Sequence, residues 1–176
     1  MDTHLVINDG LVFIGLTNPK SPTNVGSVMR AAGCFGVDAV YYTGKRYAQA
    51  ARFHTDTNRV TDRIALSSVK NFSDDLPANT RIVCVDLVEG ATPLPDYEHY
   101  ENAIYIFGPE DGTLTQEQVD EADDVVYIPT TGCLNLAATV NVLLYDRLMK
   151  SGYPHASDQL IRESRDRNNS VKINNT

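Results

Sequence analysis

Residues able to do chemistry concentrate in four short loops that combine glycine or proline with uncommon polar side chains. The loops span residues 17–24, 86–90, 108–112 and 129–135. Each lies at the end of an apolar run of strand-like length. In parallel α/β sheets, ligands bind outside the carboxyl ends of the strands. The sequence therefore predicts a ligand site built from these loops.

Each polar candidate has an ordinary structural explanation when it is taken alone. Asn24 is typical of a helix N-cap, and Arg30 lies where an amphipathic helix would have a solvated face. Glu110, in a Pro-Glu-Asp-Gly stretch, is typical of a turn. Cys133 is most simply a small buried hydrophobe. Only the joint occurrence of these residues favours a functional role.

Several common sites are absent from the sequence. No GxGxxG follows the first apolar run and no GxxxxGK[ST] occurs, which excludes the usual dinucleotide and P-loop phosphate cradles. No Ser/His/Asp set lies at a recognisable nucleophile elbow. Cys34, Cys84 and Cys133 are far apart, no CxxC occurs and the histidines are scattered. Neither a disulfide framework nor a metal site is predicted.

Composition predicts one soluble domain. The 176 residues, 42% of them hydrophobic, suffice for one core, which we expect to span residues 1–153, with a polar tail at 154–176. No apolar run is long enough to span a membrane, and residues 1–10 lack a secretory signal, so a cytoplasmic protein is expected. The net charge of −8 restricts any nucleic-acid contact to a local patch.

Alternating strands and helices predict an α/β fold with a mostly parallel sheet and helices on both faces. The predicted strands are 11–16, 39–42, 64–66, 81–87, 103–107 and 125–128, and the predicted helices are 24–35, 69–76, 115–122, 134–149 and one turn at 159–164. Asn24 is the predicted N-cap of the first helix and Gly36 its stop. Apolar positions surround most of the 134–149 helix, which predicts that the sheet covers one side and another partner the other, with a second subunit as a candidate.

Three segments together resemble the motifs of the SpoU (TrmH-like) branch of the SPOUT RNA methyltransferases. Residues 24–36 (NVGSVMRAAGCFG) resemble motif 1, residues 106–112 (IFGPEDG) motif 2, and residues 128–146, with IP and then CLNLAA continuing to Asp146, motif 3. The segments occur in the family's order. The resemblance covers roughly residues 12–153, and three ordered motifs are far more specific than one.

The resemblance implies a C-terminal deep trefoil knot, a homodimer and S-adenosylmethionine as the methyl donor. Motif 1 of one subunit would complete the active site around the other subunit's cofactor. The implied catalytic residues are Asn24, Arg30, Glu110 and Asn135. Tyr145 is expected near the subunit contact. The implied cofactor-binding residues are Asp86, Leu87, Phe107, Gly108, Glu110, Gly112, Ile128, Pro129, Cys133, Leu134 and Ala137.

The same resemblance implies transfer of a methyl group to a ribose 2′-hydroxyl of RNA. A tRNA substrate is favoured because only about ten residues precede the first predicted strand. The implied RNA-binding residues are Arg30, Lys45, Arg46 and Arg52, the last three in the most basic window of the chain. Two features depart from the family pattern: Cys133 stands where serine is usual, and the 129–133 loop is short.

Two alternatives stay open. Related SPOUT enzymes methylate a base nitrogen, although the NxGxxxR pattern of residues 24–30 argues against this chemistry. A non-catalytic RNA-binding protein that keeps the fold is the second alternative. The acidic composition and Cys133 leave room for it.

Overall fold

One parallel sheet organises the chain. The computed structural model describes residues 10–51, 64–74, 76–152 and 156–173. Within them the strands are β1 (Val12–Leu16), β2 (Ala39–Tyr42), β3 (Ala65–Ser68), β4 (Arg81–Val85), β5 (Thr92–Pro93), β6 (Ala103–Phe107) and β7 (Asp124–Tyr127). Their order is β3-β2-β1-β6-β4-β7-β5, and every pair is parallel. The predicted mostly parallel sheet is confirmed.

Helices cover both faces of this sheet. They are α1 (Pro22–Phe35), α2 (Arg46–Ala51), α3 (Gln116–Asp120), α4 (Leu136–Lys150) and α5 (Asp158–Ser164). Alternate strand residues such as Ile14 and Tyr105 pack with α1 and α4 on one face. On the other face Ile104 and Ile106 pack near Val119 of α3. Burial on both sides explains why β1 and β6 are apolar throughout.

The four loops that the sequence singled out are brought together by this topology. They follow β1, β6, β4 and β7, which are consecutive neighbours in the sheet. Because all strands run parallel, the four loops emerge at the same edge. α1 also packs against α4, so the helices that follow the first and last of these loops lie side by side.

Several predicted elements need correction. The first helix begins at Pro22 and is capped by Ser21, not Asn24, because the Ser21 hydroxyl accepts a backbone hydrogen bond and proline suits the first helical position. Residues 69–74 form a turn and bends, not a helix, since the Asp74 carboxylate binds the backbone and side-chain amides of Asn71.

Elsewhere the element ends differ from the predicted ones by at most two residues. Strand β4 ends at Val85 rather than Leu87, and α4 begins at Leu136 with Asn135 as its N-cap. α2 and β5 were not predicted, being short and without a clear apolar period. Thr115 and Gln118 form a capping box at the start of α3. No helix in the described ranges combines the length and apolar character that a membrane span requires.

A buried polar network ties the end of α4 to the segment before β6. His99 Nδ1 lies 2.6 Å from the Tyr105 hydroxyl, and His99 Nε2 lies 2.8 Å from Asp146. Arg147 Nη1 donates to the same hydroxyl at 2.9 Å. Because the ionised Asp146 carboxylate can only accept, His99 Nε2 donates to it, which leaves Nδ1 of a neutral ring to accept the Tyr105 hydroxyl hydrogen. This arrangement fits a neutral His99 that carries its proton on Nε2.

Stability should fall in mild acid because of this network. Burial lowers the pKa of His99 below 6.5, and the nearby cations Arg147 and Lys150 act in the same direction, against the hydrogen bond to Asp146. The unfolded chain therefore takes up a proton first. The free energy of unfolding should decrease as pH falls below about 6.5, with a slope of up to about 1.4 kcal/mol per pH unit.

Denaturant melts of the wild type and His99→Gln between pH 8 and pH 5 would measure this effect. The variant should be less stable at pH 8 but should show a shallower pH slope. An identical slope in both proteins would mean that another group governs the acid response.

Candidate active site

A cavity of about 230 Å³ opens among the loops that follow β4, β6 and β7. Its lining comprises Val85, Asp86, Leu87, Phe107, Gly108, Pro109, Glu110, Gly112, Ile128, Thr130, Gly132, Cys133, Leu134, Asn135, Leu136 and Thr139. Its volume is slightly below the roughly 300–1,000 Å³ typical of small-molecule sites. A ligand of nucleoside size would fill it and reach its mouth.

Most of the predicted cofactor-binding residues line this cavity. Those that do are Asp86, Leu87, Phe107, Gly108, Glu110, Gly112, Ile128, Cys133 and Leu134. Pro129 does not line it, and Ala137 belongs to the core beneath the first turn of α4. The prediction missed lining residues such as Thr130, Leu136 and Thr139. They are chain neighbours of motif residues, and that proximity was the only available signal.

Glu110 fastens the loop after β6 to the start of α1. Its carboxylate accepts the backbone N–H groups of Lys20 at 2.9 Å and Ser21 at 3.0 Å. The amide of Asn24 donates to the same carboxylate at 3.3 Å. A helix N-terminus offers unpaired N–H groups and positive potential, so an anionic side chain is stabilised there.

These contacts keep Glu110 ionised. Burial alone would raise its pKa, but the hydrogen bonds from its own backbone N–H, from Lys20 and Ser21 and from Asn24 outweigh burial and lower the pKa below 4.5. At neutral pH the side chain is therefore a fixed carboxylate acceptor. It is not positioned as a proton donor.

Asn24 links Glu110 to Asn135. The side-chain oxygen of Asn24 accepts a hydrogen bond from the side-chain amide of Asn135 at 3.1 Å, while the side-chain amide of Asn24 donates to Glu110. The Asn135 oxygen in turn accepts from the backbone of Ala137 at 2.9 Å, as the N-cap of α4. One residue from each of the three motifs thus joins a continuous hydrogen-bonded chain beside the cavity.

Asp86 braces the opposite wall of the cavity. Its carboxylate accepts the Thr113 hydroxyl at 2.7 Å and the Leu114 N–H at 2.9 Å. A Cβ atom at Gly108 would lie 3.1 Å from this carboxylate, so any other residue here would crowd it and Asp86 would have to shift. Asp86 therefore contributes to the cavity mainly by holding the loop after β6.

Arg30 and Tyr145 lie away from the cavity on exposed surface. Arg30 is exposed on α1 and does not line the cavity. Within the described ranges no hydrogen bond or ion pair holds its guanidinium. Tyr145 of α4 is 54% exposed. One chain alone therefore does not bring Arg30 to the other three predicted catalytic residues.

The predicted RNA-binding residues have different surroundings. Lys45 is exposed on the loop before α2. Arg46 is bound within the protein, to Asp111 and to the carbonyl oxygen of Asn18. Arg52 lies outside the described residues. The basic window is therefore only partly free to meet a ligand.

Two of the cysteines are not buried. Cys133 is exposed and lines the cavity, so its interpretation as a buried hydrophobe is wrong. The reason is that the 129–135 loop lies beyond the carboxyl ends of the strands, outside the core. Cys34 is also exposed, on α1. Cys84 is buried in β4, and burial raises the pKa of its thiol to about 11. Cys84 therefore stays an unreactive thiol at neutral pH.

Comparison with known proteins identifies the family. The profile of the SpoU rRNA Methylase family matches residues 11–145. The 23S rRNA (guanosine-2′-O-)-methyltransferase RlmB of Acinetobacter baylyi is 26% identical over 159 residues, covering 83% of this chain and 62% of the relative. The chain thus spans less than two thirds of that relative's length.

Solved structures share the fold. The SpoU methyltransferase AviRb of Streptomyces viridochromogenes in complex with AdoMet superposes with a TM-score of 0.65 at 20% identity, covering 82% of this chain and 58% of that one. A structure described as giving insights into the 2-OH methylation of C/U34 on tRNA superposes with a TM-score of 0.66 at 22% identity, covering 81% and 97%. With its three motifs joined at one cavity and more than three quarters of its length matched by the profile, the chain belongs to the SpoU methylase family.

Proposed function

We propose that this protein transfers a methyl group from S-adenosylmethionine to a ribose 2′-hydroxyl of RNA, with tRNA as the preferred substrate. The observation that carries the proposal is the hydrogen-bonded chain from Glu110 through Asn24 to Asn135 at the cavity. The names of the relatives support it, since one acts on a guanosine 2′-hydroxyl of rRNA and another structure concerns 2-OH methylation of tRNA. A cytoplasmic location belongs to the same proposal.

The cavity suits S-adenosylmethionine, which is bound in the superposed AviRb structure. Glycines at 108, 112 and 132 leave main-chain groups accessible along its wall. Leu87 and Leu134 line it while remaining 54% and 40% exposed, so they offer uncovered apolar surface to an adenine ring. Pro129 and Ala137 do not line the cavity, and we leave them out of the proposed set.

When bound, the cofactor supplies an electrophilic methyl group on a sulfonium. The protein's part is to orient the ribose and to stabilise its oxygen. A ribose hydroxyl is a very weak acid, so a cation beside the oxygen stabilises the developing negative charge. Arg30 is suited to this task and to a bidentate grip on the adjacent phosphate. Glu110, Asn24 and Asn135 hold the loops in register, and this positioning contributes much of the rate.

A homodimer belongs to the same proposal, because it would bring Arg30 of one protomer to the cavity of the other. The outer side of α4 leaves Val142, Tyr145 and Met149 between 41% and 54% exposed. α1, which bears Arg30, packs beside α4. An apolar patch of this kind is typical of a protein interface.

An aspartate in this patch should separate the subunits. Wild-type protein should elute at twice the chain mass of 19.4 kDa, and Val142→Asp at the chain mass. The variant should also lose methyl transfer. Ile161→Asp is the matched control, because Ile161 is 57% exposed on α5, outside the patch. A wild-type monomer with full transfer activity would refute the dimer.

Family membership also supports a backbone knot formed by the loops after β6 and β7, and we include it in the proposal. The catalytic domain would then comprise residues 1–153. Residues 154–176 would form a separate tail, consistent with α5, in which no residue is buried.

Two measurements test the function. Titration calorimetry should detect binding of S-adenosylmethionine, and its absence would favour the non-catalytic RNA-binding alternative. Nucleoside mass spectrometry of tRNA treated with the protein and cofactor should show a gain of one methyl group with an unchanged base fragment. A methylated base fragment would instead establish a base-nitrogen methyltransferase. Parallel treatment of rRNA checks the substrate preference.

A further inference from the structure

Glu110 and Asp111, two adjacent residues of the loop after β6, bind different kinds of group. Glu110 binds backbone N–H groups and an amide. Asp111 binds two cationic side chains, Arg46 at 2.8 Å and Lys20 at 3.4 Å. All three members of this second group are a third or more exposed. Asp111 does not line the cavity, so its role differs from that of the cavity residues.

The guanidinium of Arg46 is held in place independently of Asp111. Its Nε and Nη2 both donate to the carbonyl oxygen of Asn18, at 3.0 and 2.6 Å. Asn18 is itself fixed, because its backbone N–H donates to the Thr43 hydroxyl. Arg46 would therefore keep its position if Asp111 moved away. What remained would be one preorganised cation, Arg46, with the exposed Lys20 ammonium beside it.

The ion pairs of Asp111 are weak enough for another anion to replace Asp111 in them. Ion pairs between exposed side chains contribute little to stability, because water and salt screen them. A phosphate offers more acceptor oxygens in the same place and forms strong charge-assisted hydrogen bonds with arginine. Asp111 would be a charged competitor, because its hydrogen bond with Arg46 lowers its pKa below 3.8.

We propose that Lys20 and Arg46 form a binding site for an RNA phosphate, and that Asp111 occupies this site in the free protein and is displaced when RNA binds. The site is adjacent along both loops to Ser21 and Glu110, so the phosphate would belong to a nucleotide near the cavity. The inference rests on the proposed RNA substrate, although not on methyl transfer. Asp111 would then reduce non-specific binding to other polyanions.

Binding of a fluorescent, unmodified tRNA transcript and of a 12-nucleotide oligouridylate tests this idea. Asp111→Asn should tighten binding about threefold to tenfold at low salt, as expected when a competing carboxylate is removed. Glu117→Gln is the matched control, since it removes one negative charge from the exposed surface of α3 and should change affinity less than about twofold.

Arg46→Ala should weaken binding and reduce the slope of log K against log salt by about 0.7–0.9, the loss of one phosphate contact. In the Arg46→Ala background, Asp111→Asn should gain little. Unchanged or weaker binding by Asp111→Asn alone would overturn the proposal and leave Asp111 as a loop brace. Tighter RNA binding by Asp111→Asn without any methyl transfer by the wild type would support this site while refuting the proposed function.

Discussion

Replacement of Arg30 by alanine should lower single-turnover methyl transfer by about 10²- to 10³-fold or more, the cost of removing one donor to a developing oxyanion. Affinity for S-adenosylmethionine should stay within about twofold, because Arg30 does not line the cavity. Stability should also be unchanged, since the side chain is exposed and packs no core. Calorimetry, denaturant melts and a radiolabelled methyl assay measure the three quantities.

Arg30→Lys is the matched control. It keeps the charge but loses the planar fork, so partial activity is expected. Arg30→Ala protein with full activity would remove Arg30 from the mechanism.

Mixed dimers test whether Arg30 acts across the subunit contact. After subunits of Arg30→Ala and Glu110→Gln are exchanged, half of the dimers are mixed, and each mixed dimer has one complete site. Activity should therefore recover to about a quarter of the wild-type level by random pairing in a symmetric dimer. A mixture that shows only the average of its two parents would mean that Arg30 serves its own protomer.

The sequence predicted which loops converge at the cavity, because the order and direction of the strands determine where their ends lie. Glu110 and Asn135 follow predicted buried strands, and parallel strands bring their carboxyl ends to one edge. Asn24 lies in the first turn of α1, the helix that follows β1. Their convergence was thus implied by topology alone. The specific bonds from Asn24 to Glu110 and Asn135 were not, since they depend on rotamers that the loops impose.

Predictions from neighbouring residues failed where two residues suited the same role, or where the partner of a side chain lies far away in the chain. Ser21 and Asn24 are both good N-caps, and Pro22 decides between them by fitting the first helical position. The basic window suggested that Arg46 was free, yet its partner Asp111 lies 65 residues away. No pattern of neighbours reveals such a pairing.

Glu110→Gln should be the most damaging of the conservative changes in the loops. A carboxylate here accepts from Lys20 N–H, Ser21 N–H and the Asn24 amide, whereas a glutamine turns one of its two acceptor positions into a donor. At least one backbone N–H then faces another donor. The free energy of unfolding should fall by about 1–3 kcal/mol, the cost of unpaired polar groups.

Methyl-transfer activity should also fall, by about 10²-fold in kcat/KM. Asn24 loses its fixed partner, and Asn135 is bound to Asn24, so the loops are no longer held in position relative to one another. The pH dependence of the free energy of unfolding provides a second measurement. The hydrogen bonds hold the pKa of Glu110 below 4.5, so its contribution to stability is present above that pH and is lost as pH falls through the lowered value. Glu110→Gln should lack this part of the acid-induced loss.

Asp111→Asn is the matched control for this substitution, with the same chemical change one residue along the loop. Asp111 is 47% exposed, and among the described residues its ion pairs are with Lys20 and Arg46, which are both a third or more exposed, so its replacement should change stability little. Equal stability and equal transfer activity in Glu110→Gln and wild type would reduce Glu110 to an ordinary turn residue. The hydrogen-bonded chain would then have no role in placing the ribose.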